Sequence, residues 1–242
     1  MTSERLGLIA GPCPGFEQPA STISSVVAGG ADAILTSYGI ARNFAEELDG
    51  VGLILRSDGA SSNLGSPSTG STGSFFGPDD AVQVGADALV VTALPGSDKE
   101  DMTLENLART ASAAHAIGVP MLGEMVPGGF DSPPEMRGTE AVAFAARLGA
   151  ELGADFIKAP YCADYAKVTS STFVPVVILG GSKTSEADML TDIRSALDSG
   201  AAGVAIGRNV FQAPDPTAMT AAIVTLVPDH VSVDQALAVL KG

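Results

Sequence analysis

Lys158 is the residue of this chain best suited to covalent chemistry. It ends the run Asp155-Phe156-Ile157-Lys158, which has the composition of a buried strand and leads into a turn at Ala159-Pro160. Burial in apolar surroundings disfavours the charged ammonium form, and a neutral amine can attack a carbonyl to form a Schiff base. The alternative is a lysine that reaches solvent or pairs with a carboxylate such as Asp155.

Schiff-base chemistry also needs a group that moves protons, and Glu124 is the first candidate. It lies two residues before Val126 on a predicted strand, so both side chains share one face, which we expect to point inward. A carboxylate desolvated at the mouth of a barrel would have a raised pKa, which suits acid–base work. Alternatively, Glu124 forms an ion pair with Lys158 or Arg56.

Two further residues are candidates for the catalytic site. Asp58 follows the third predicted strand, and Tyr161 lies three residues beyond Lys158. His115, in an alanine-rich helix, and Cys162, which has no histidine nearby in the sequence, are interpreted as structural residues.

Two loops near the C-terminus have the composition of an anion-binding site. One strand ends in Gly180-Gly181-Ser182-Lys183, and the next ends in Gly207-Arg208 before a short helix. Glycine lets backbone N–H groups approach a phosphate, and a helix N-terminus adds partial positive charge. The sequence therefore predicts a substrate phosphate at these loops; the alternative is that both are simple turns.

Short strand-like runs alternate with helical stretches along the whole chain. The predicted strands are Leu6–Ala10, Ala33–Ser37, Gly52–Arg56, Ala88–Ala93, Pro120–Val126, Asp155–Lys158, Val174–Leu179 and Gly203–Ile206. The predicted helices include Thr22–Ala28, Leu104–Ile117, Glu140–Leu152 and Glu186–Ser199, and a glycine follows several of them. This alternation predicts an α/β fold, a single (β/α)₈ TIM barrel over residues 1–242, whose chemistry lies at the carboxyl ends of the strands. The alternative is an open doubly wound sheet. The segment Ser57–Gly77, rich in Ser, Gly and Thr, is either a lid or a surface excursion.

The composition and net charge of the chain disfavour several classes of protein. The 242 residues carry a net charge of −15, which disfavours binding to nucleic acid. No apolar run is long enough to span a membrane and the N-terminus lacks a signal pattern, so we expect a cytoplasmic protein. Two cysteines and two histidines offer no zinc spacing, and no metal is expected.

The chain resembles the class I aldolases of the DhnA type, within the DeoC/FbaB superfamily. The resemblance runs over nearly the whole chain, from Gly11-Pro12-Cys13-Pro14-Gly15-Phe16-Glu17 to Gly207-Arg208-Asn209-Val210-Phe211-Gln212. It implies that Lys158 is the Schiff-base lysine, that no metal or organic cofactor takes part, and that the protein is a homo-oligomer, in many members a decamer. The run from Leu55 to Ser62 is most similar to a thiolase that acts on a phosphorylated autoinducer-2 product.

Two of the family's usual proton-transfer residues are replaced. Arg5-Leu6-Gly7 stands where the family has Asp-His-Gly, and Val126-Pro127-Gly128-Gly129 stands where it has Tyr-Pro-Arg-Gly. The resulting hypothesis is a Schiff-base carbon–carbon lyase or transferase, of aldolase or thiolase type, that acts on a small phosphorylated keto compound. The alternatives are a barrel that binds a phosphorylated metabolite without reacting, and a phosphosugar isomerase.

Overall fold

A computed structural model describes residues 15–59, 72–130, 132–181, 184–227 and 231–241. The strands are β1 Ala33–Thr36, β2 Gly52–Arg56, β3 Asp58–Gly59, β4 Gly73–Ser74, β5 Ala88–Ala93, β6 Met121–Met125, β7 Phe156–Pro160, β8 Val176–Leu179 and β9 Gly203–Ala205. The helices are α1 Pro19–Ala28, α2 Tyr38–Asn43, α3 Pro78–Gln83, α4 Glu100–Ala116, α5 Thr139–Glu151, α6 Tyr165–Ser171, α7 Glu186–Asp198, α8 Arg208–Phe211, α9 Pro216–Leu226 and α10 Val233–Val239, with a 3₁₀ turn at Pro134–Arg137.

Seven of the strands form one parallel sheet in the order β1-β2-β5-β6-β7-β8-β9. Seven of the eight predicted strands are therefore confirmed, with ends that differ by at most two residues. The eighth, Leu6–Ala10, lies outside the described residues. The doubly wound alternative is wrong, because such a sheet reverses its strand order at a switch point and this order follows the chain throughout.

The predicted helix stops are confirmed by backbone geometry. Gly85, Gly118, Gly153 and Gly200 each follow a helix and have φ between 68° and 100°. Residues with a side chain rarely adopt this conformation, so glycine ends each helix there and turns the chain toward the next strand.

The sheet buries both of its faces, as expected of parallel strands covered by helices. One face packs against the helices in the main core, which includes Ile34, Leu107 and Ile157. The other face carries a separate cluster of interior side chains, comprising Leu35, Val90 and Leu122 with Ile54 and Phe156 packed against them.

The segment predicted as a lid or surface excursion is described only at its two ends. β3 pairs with β4 in an antiparallel hairpin, and the backbone amides of Phe75 and Phe76 donate to the Ser57 carbonyl at 2.8 and 2.9 Å. Residues 60–71 lie outside the described part of the chain. Among the described helices, none has the length and apolarity needed to cross a bilayer.

Candidate active site

Four polar side chains extend the interior cluster toward the carboxyl ends of the strands. Each lies two residues after an interior apolar residue on its own strand, so it points to the same face of the sheet. They are Arg56 on β2, Thr92 on β5, Glu124 on β6 and Lys158 on β7. The inward orientation predicted for Glu124 is therefore confirmed, and Thr92 is a member of the cluster that the sequence reading missed.

Lys158 and Glu124 form a buried ion pair on neighbouring strands. Their Cα atoms are register partners, the side chains are both fully buried, and Lys158 Nζ donates to Glu124 Oε1 at 2.5 Å. The prediction that Lys158 points inward is confirmed. The alternative prediction that Lys158 pairs with Asp155 is wrong. The Asp155 carboxylate lies 2.9 Å from His115 Nε2 and accepts a hydrogen bond from the Met121 amide.

Arg56 holds the second oxygen of the Glu124 carboxylate. Its Nη2 donates to Glu124 Oε2 at 2.6 Å, and its Nη1 donates to Thr92 Oγ1 at 2.8 Å. Thr92 Oγ1 in turn donates to Glu124 Oε2 at 3.1 Å. Glu124 is therefore shared between two cations and a hydroxyl, which fixes its position and charge.

The pKa of Glu124 differs from the raised value expected from its burial. Burial alone would raise it, but the charges of Arg56 and Lys158 and their hydrogen bonds together outweigh burial and hold the pKa of Glu124 far below its ordinary value. Glu124 is thus ionised in this state, because both neighbouring cations favour the carboxylate form.

Asp58 adds a second buried carboxylate to the cluster. Its Oδ1 accepts from Arg56 at 3.0 Å and its Oδ2 accepts from the Thr92 amide at 2.9 Å. Burial raises the pKa of Asp58 above its ordinary value of 3.8, against the lowering effect of the Arg56 charge. The two carboxylates are therefore shifted in opposite directions, the pattern by which an enzyme separates an acid from a base.

These opposite shifts predict how acid affects stability. Because the folded pKa of Glu124 is depressed, its contribution to folding is present above the unfolded value of 4.5 and is lost as pH falls below it. Asp58 has the opposite sign, since its raised folded pKa favours folding below 3.8 and opposes it at higher pH. We expect the difference in free energy of unfolding between wild type and Glu124→Gln to be constant above about pH 5.5 and to shrink as pH falls from about 5 to about 3. Urea denaturation across this range measures it, and a constant difference would contradict the depressed pKa.

Tyr161 lies near the site but its hydroxyl is directed elsewhere. It donates to Ser195 Oγ on α7 at 3.0 Å, and its ring contacts Tyr165. The phenol lines a cavity at the carboxyl ends of β6 to β9, and its catalytic role stays a prediction.

A cavity of about 340 Å³ opens above the ion pair at the carboxyl ends of β6 to β9. Val126 and Pro160 line it, and they lie two residues beyond Glu124 and Lys158 on the same faces, so the ion pair lies below its floor. The far wall consists of the two predicted phosphate loops, with Gly180, Gly181 and Arg208 in the lining.

The phosphate loops are held together by side chains that bond to backbone. Arg208 Nη2 donates to the Gly181 carbonyl at 2.8 Å, and Asn209 Nδ2 donates to the Gly180 carbonyl at 3.1 Å. A side chain at position 180 would come within 3.2 Å of Ile206, and Gly181 has a φ of 57°, so glycine suits both positions. Gly207 precedes α8, which has only four residues. Ser182 and Lys183 lie outside the described residues, so their predicted contacts with phosphate stay predictions.

Known proteins match the chain over nearly its whole length. A family model described as DeoC/LacD family aldolase matches residues 4–213. The chain is 38% identical over 239 residues to a 2-amino-3,7-dideoxy-D-threo-hept-6-ulosonate synthase of Halobacterium salinarum, covering 96% of this chain and 87% of that protein. It is 31% identical over 232 residues to a 3-hydroxy-5-phosphonooxypentane-2,4-dione thiolase of Enterobacter sp. strain 638, covering 95% and 76%.

One similar protein of known structure binds its substrate covalently through a lysine. The structure of an archaeal fructose-1,6-bisphosphate aldolase, with its catalytic lysine covalently bound to the carbinolamine intermediate of the substrate, superposes with a TM-score of 0.80 at 31% identity, covering 92% of this chain and 91% of that one. The family resemblance predicted from the motifs is confirmed by these matches. The chain belongs to the DeoC/LacD family of aldolases, enzymes of the class I, Schiff-base type.

Proposed function

We propose that the protein cleaves or forms a carbon–carbon bond in a small phosphorylated keto compound through a Schiff base on Lys158. The observation that carries this proposal is the buried Lys158–Glu124 pair directly below a cavity whose far wall contains Gly180, Gly181 and Arg208. The cavity would hold the phosphate at Gly180, Gly181 and Arg208, and the carbonyl would lie over β7.

The reaction begins with the neutral amine of Lys158, which adds to the keto carbon; the carbinolamine then loses water to give an iminium. The iminium accepts the electron pair of the breaking carbon–carbon bond while the substrate hydroxyl loses its proton, which releases an aldehyde and leaves an enamine. Protonation of the enamine carbon and hydrolysis regenerate the amine.

In this reaction the basicity of Glu124 would change with the charge on Lys158. While Lys158 is an ammonium ion, Glu124 is a weak base, because both cations beside it stabilise its carboxylate. When Lys158 gives up its proton, one of these cations disappears and the basicity of Glu124 rises. Glu124 takes the proton that Lys158 loses and returns it to the carbinolamine hydroxyl, which leaves as water. As a carboxylate again, Glu124 stabilises the iminium charge and accepts the proton of the substrate hydroxyl, which it later gives to the enamine carbon. Arg56, Thr92 and Asp58 keep the carboxylate in place.

We infer that the sheet curves toward the predicted eight-stranded barrel, which would require the edge strands β1 and β9 to approach each other. Residues of both edge strands, including Leu35 and Val204, line one further cavity of about 240 Å³. This shared cavity supports the barrel, since the edges of a flat sheet would be far apart. A single domain, a homo-oligomer and a cytoplasmic location stay predictions.

Borohydride reduction in the presence of dihydroxyacetone phosphate tests the proposal. The wild-type protein should gain one irreversible adduct, detected by intact mass, and peptide mapping should place it on Lys158 among the five lysines of the chain. If no phosphorylated ketose gives an adduct despite measurable binding, the Schiff-base proposal is contradicted. That result would favour the alternative hypotheses of a non-catalytic binding protein or an isomerase.

A requirement for coenzyme A distinguishes the thiolase reaction from the aldolase reaction. An aldolase releases its aldehyde without it, whereas a thiolase passes an acyl fragment to the thiol. Turnover of a phosphorylated dione only when coenzyme A is present would assign the thiolase reaction, and turnover of a phosphorylated ketose without it would assign the aldolase reaction.

Arg208→Met is expected to weaken binding of dihydroxyacetone phosphate by roughly tenfold or more, because it removes a charged donor to the phosphate. Binding of unphosphorylated dihydroxyacetone should not change. The exposed pair of Arg109 with Glu105 on α4 supplies a matched control, Arg109→Met. Equal losses for both ligands would indicate damage to the loops rather than loss of a phosphate contact.

A further inference from the structure

Asp58 is a buried carboxylate that moves no proton in the proposed reaction. It is 2% exposed, and the described residues that line the cavity above Lys158 do not include it. Each of its oxygens accepts from an N–H donor, one from the Arg56 guanidinium and one from the Thr92 backbone, which is the arrangement of an ionised carboxylate. An ionised group in the interior is costly unless it is paired, so the partners of Asp58 indicate its role.

Asp58 and Glu124 share one guanidinium group. Arg56 Nη1 donates to Asp58 Oδ1 at 3.0 Å, and Arg56 Nη2 donates to Glu124 Oε2 at 2.6 Å. A second connection runs through Thr92, whose amide donates to Asp58 Oδ2 at 2.9 Å and whose hydroxyl donates to Glu124 Oε2 at 3.1 Å. The two carboxylates are therefore bonded to the same two residues, although they belong to β3 and β6.

The ion pairs of this cluster give the two carboxylates different surroundings. Glu124 pairs with both Arg56 and Lys158, and Asp58 pairs with Arg56. Burial is the main cause of the raised pKa of Asp58, and the charge of Glu124 raises it further, so the two carboxylates are close enough to repel each other. Without the charge of Asp58, that of Arg56 would act on Glu124 unopposed and make Glu124 a weaker base.

We propose that Asp58 is a positioning residue that acts through Arg56, offsetting part of the guanidinium charge so that Glu124 stays basic enough to move protons. Asp58 does not touch the substrate in this role. Glu124 must bind a proton in every transfer of the reaction, and two unopposed cations would make that proton too costly to bind. The inference rests on the proposed function, because Glu124 is the proton-transfer group of that reaction.

Exchange of deuterium from D₂O into dihydroxyacetone phosphate measures Glu124 as a base. On the Lys158 iminium, Glu124 takes a proton from the carbon next to the iminium carbon, and the electron pair of that C–H bond forms the double bond of the enamine. The proton on Glu124 exchanges with solvent, and a deuteron returns to the same carbon. Mass spectrometry detects the label, and no second substrate is needed.

Asp58→Asn should lower the exchange rate at saturating ligand roughly tenfold or more, because the charge that offsets Arg56 is lost. The dissociation constant for dihydroxyacetone phosphate should change less than about twofold, since Asp58 does not line the cavity. Adding Arg56→Met to Asp58→Asn removes the unopposed charge, and Glu124 keeps its bonds to Lys158 and Thr92. The double variant should therefore exchange at least about threefold faster than Asp58→Asn.

Asp87→Asn is the matched control. Asp87 precedes β5, and its Oδ2 accepts from the Leu53 amide on β2 at 2.8 Å. It is thus another carboxylate that accepts from a strand amide, at the amino ends of these strands and away from the cluster. Its replacement should leave the exchange rate unchanged.

A purely structural role of Asp58 would give a different pattern. Loss of its bond to the Thr92 amide would then slow exchange, and removing Arg56 as well would slow it further. Either this result or exchange at the wild-type rate in Asp58→Asn overturns the proposal; the latter would show that Asp58 is uncharged in wild type.

Two further comparisons keep the test decisive. If Asp58→Asn does not fold, Arg56→Met is compared with the double variant: exchange rates within about threefold of each other support action through Arg56, and a loss of about tenfold in the double variant opposes it. If wild type neither exchanges deuterium nor forms the borohydride adduct, the proposed function fails. If wild type does both and the Asp58 variants depart from expectation, this inference alone fails.

Discussion

Lys158→Met should lower turnover by roughly a thousandfold or more and abolish the borohydride adduct, while the protein still folds. The nucleophile is lost outright, because no thioether can form an imine. Methionine occupies much of the space of the lysine chain, and Glu124 keeps its bonds to Arg56 and Thr92, so the remaining carboxylate stays paired. Intact mass after reduction and steady-state turnover measure the two losses.

Lys167→Met is the matched control for this variant. Lys167 lies on α6, immediately after the loop that follows β7, and pairs with Glu140 at the protein surface. Its replacement should leave turnover and the adduct unchanged, since exposed ion pairs contribute little to stability. Substantial turnover in Lys158→Met would refute the Schiff-base proposal, and loss of the adduct in both variants would show that trapping does not report on Lys158.

The sequence allowed the inward position of Glu124 and Lys158 to be predicted, but not the electrostatics of the pair that they form. Strand periodicity was sufficient to point Glu124 and Lys158 inward, because alternate residues of a strand share a face. The pairing itself depends on register between β6 and β7, which neither strand determines alone. The sign of the Glu124 pKa shift depends further on Arg56, which reaches across from β2.

Arg208 and Arg137 both line the cavity, but only Arg208 was predicted from the sequence. Arg208 was predicted because it follows Gly207 in the second of two consecutive glycine-containing loops, a local pattern with a known anion-binding geometry. Arg137 has no such pattern, since it ends an irregular connection between Pro133 and Gly138, and only folding brings it into the cavity. Thr92 could have been found by counting from Val90, but a threonine inside a strand is ordinary and gave no reason to count.

Glu124→Gln should lower both the free energy of unfolding and the rate, and the two losses can be separated. Glu124 is the buried carboxylate that pairs with both Arg56 and Lys158, so removing its charge leaves an excess of positive charge around these two cations, which costs about 3 kcal/mol. Loss of the proton acceptor beside Lys158 should reduce turnover by about 10²- to 10⁴-fold. Chemical denaturation and steady-state kinetics measure the two effects.

The double variant Lys158→Met/Glu124→Gln distinguishes a coupled ion pair from two independent contributions. If the pair is coupled, adding Lys158→Met to Glu124→Gln should restore most of the lost stability, because the excess charge disappears with the lysine. Turnover should stay at the level of Lys158→Met, since no nucleophile is present. Additive losses of stability would contradict the coupling. They would leave Arg56 as the partner that stabilises Glu124, and the response of Glu124 to the charge on Lys158 would then lose its physical basis.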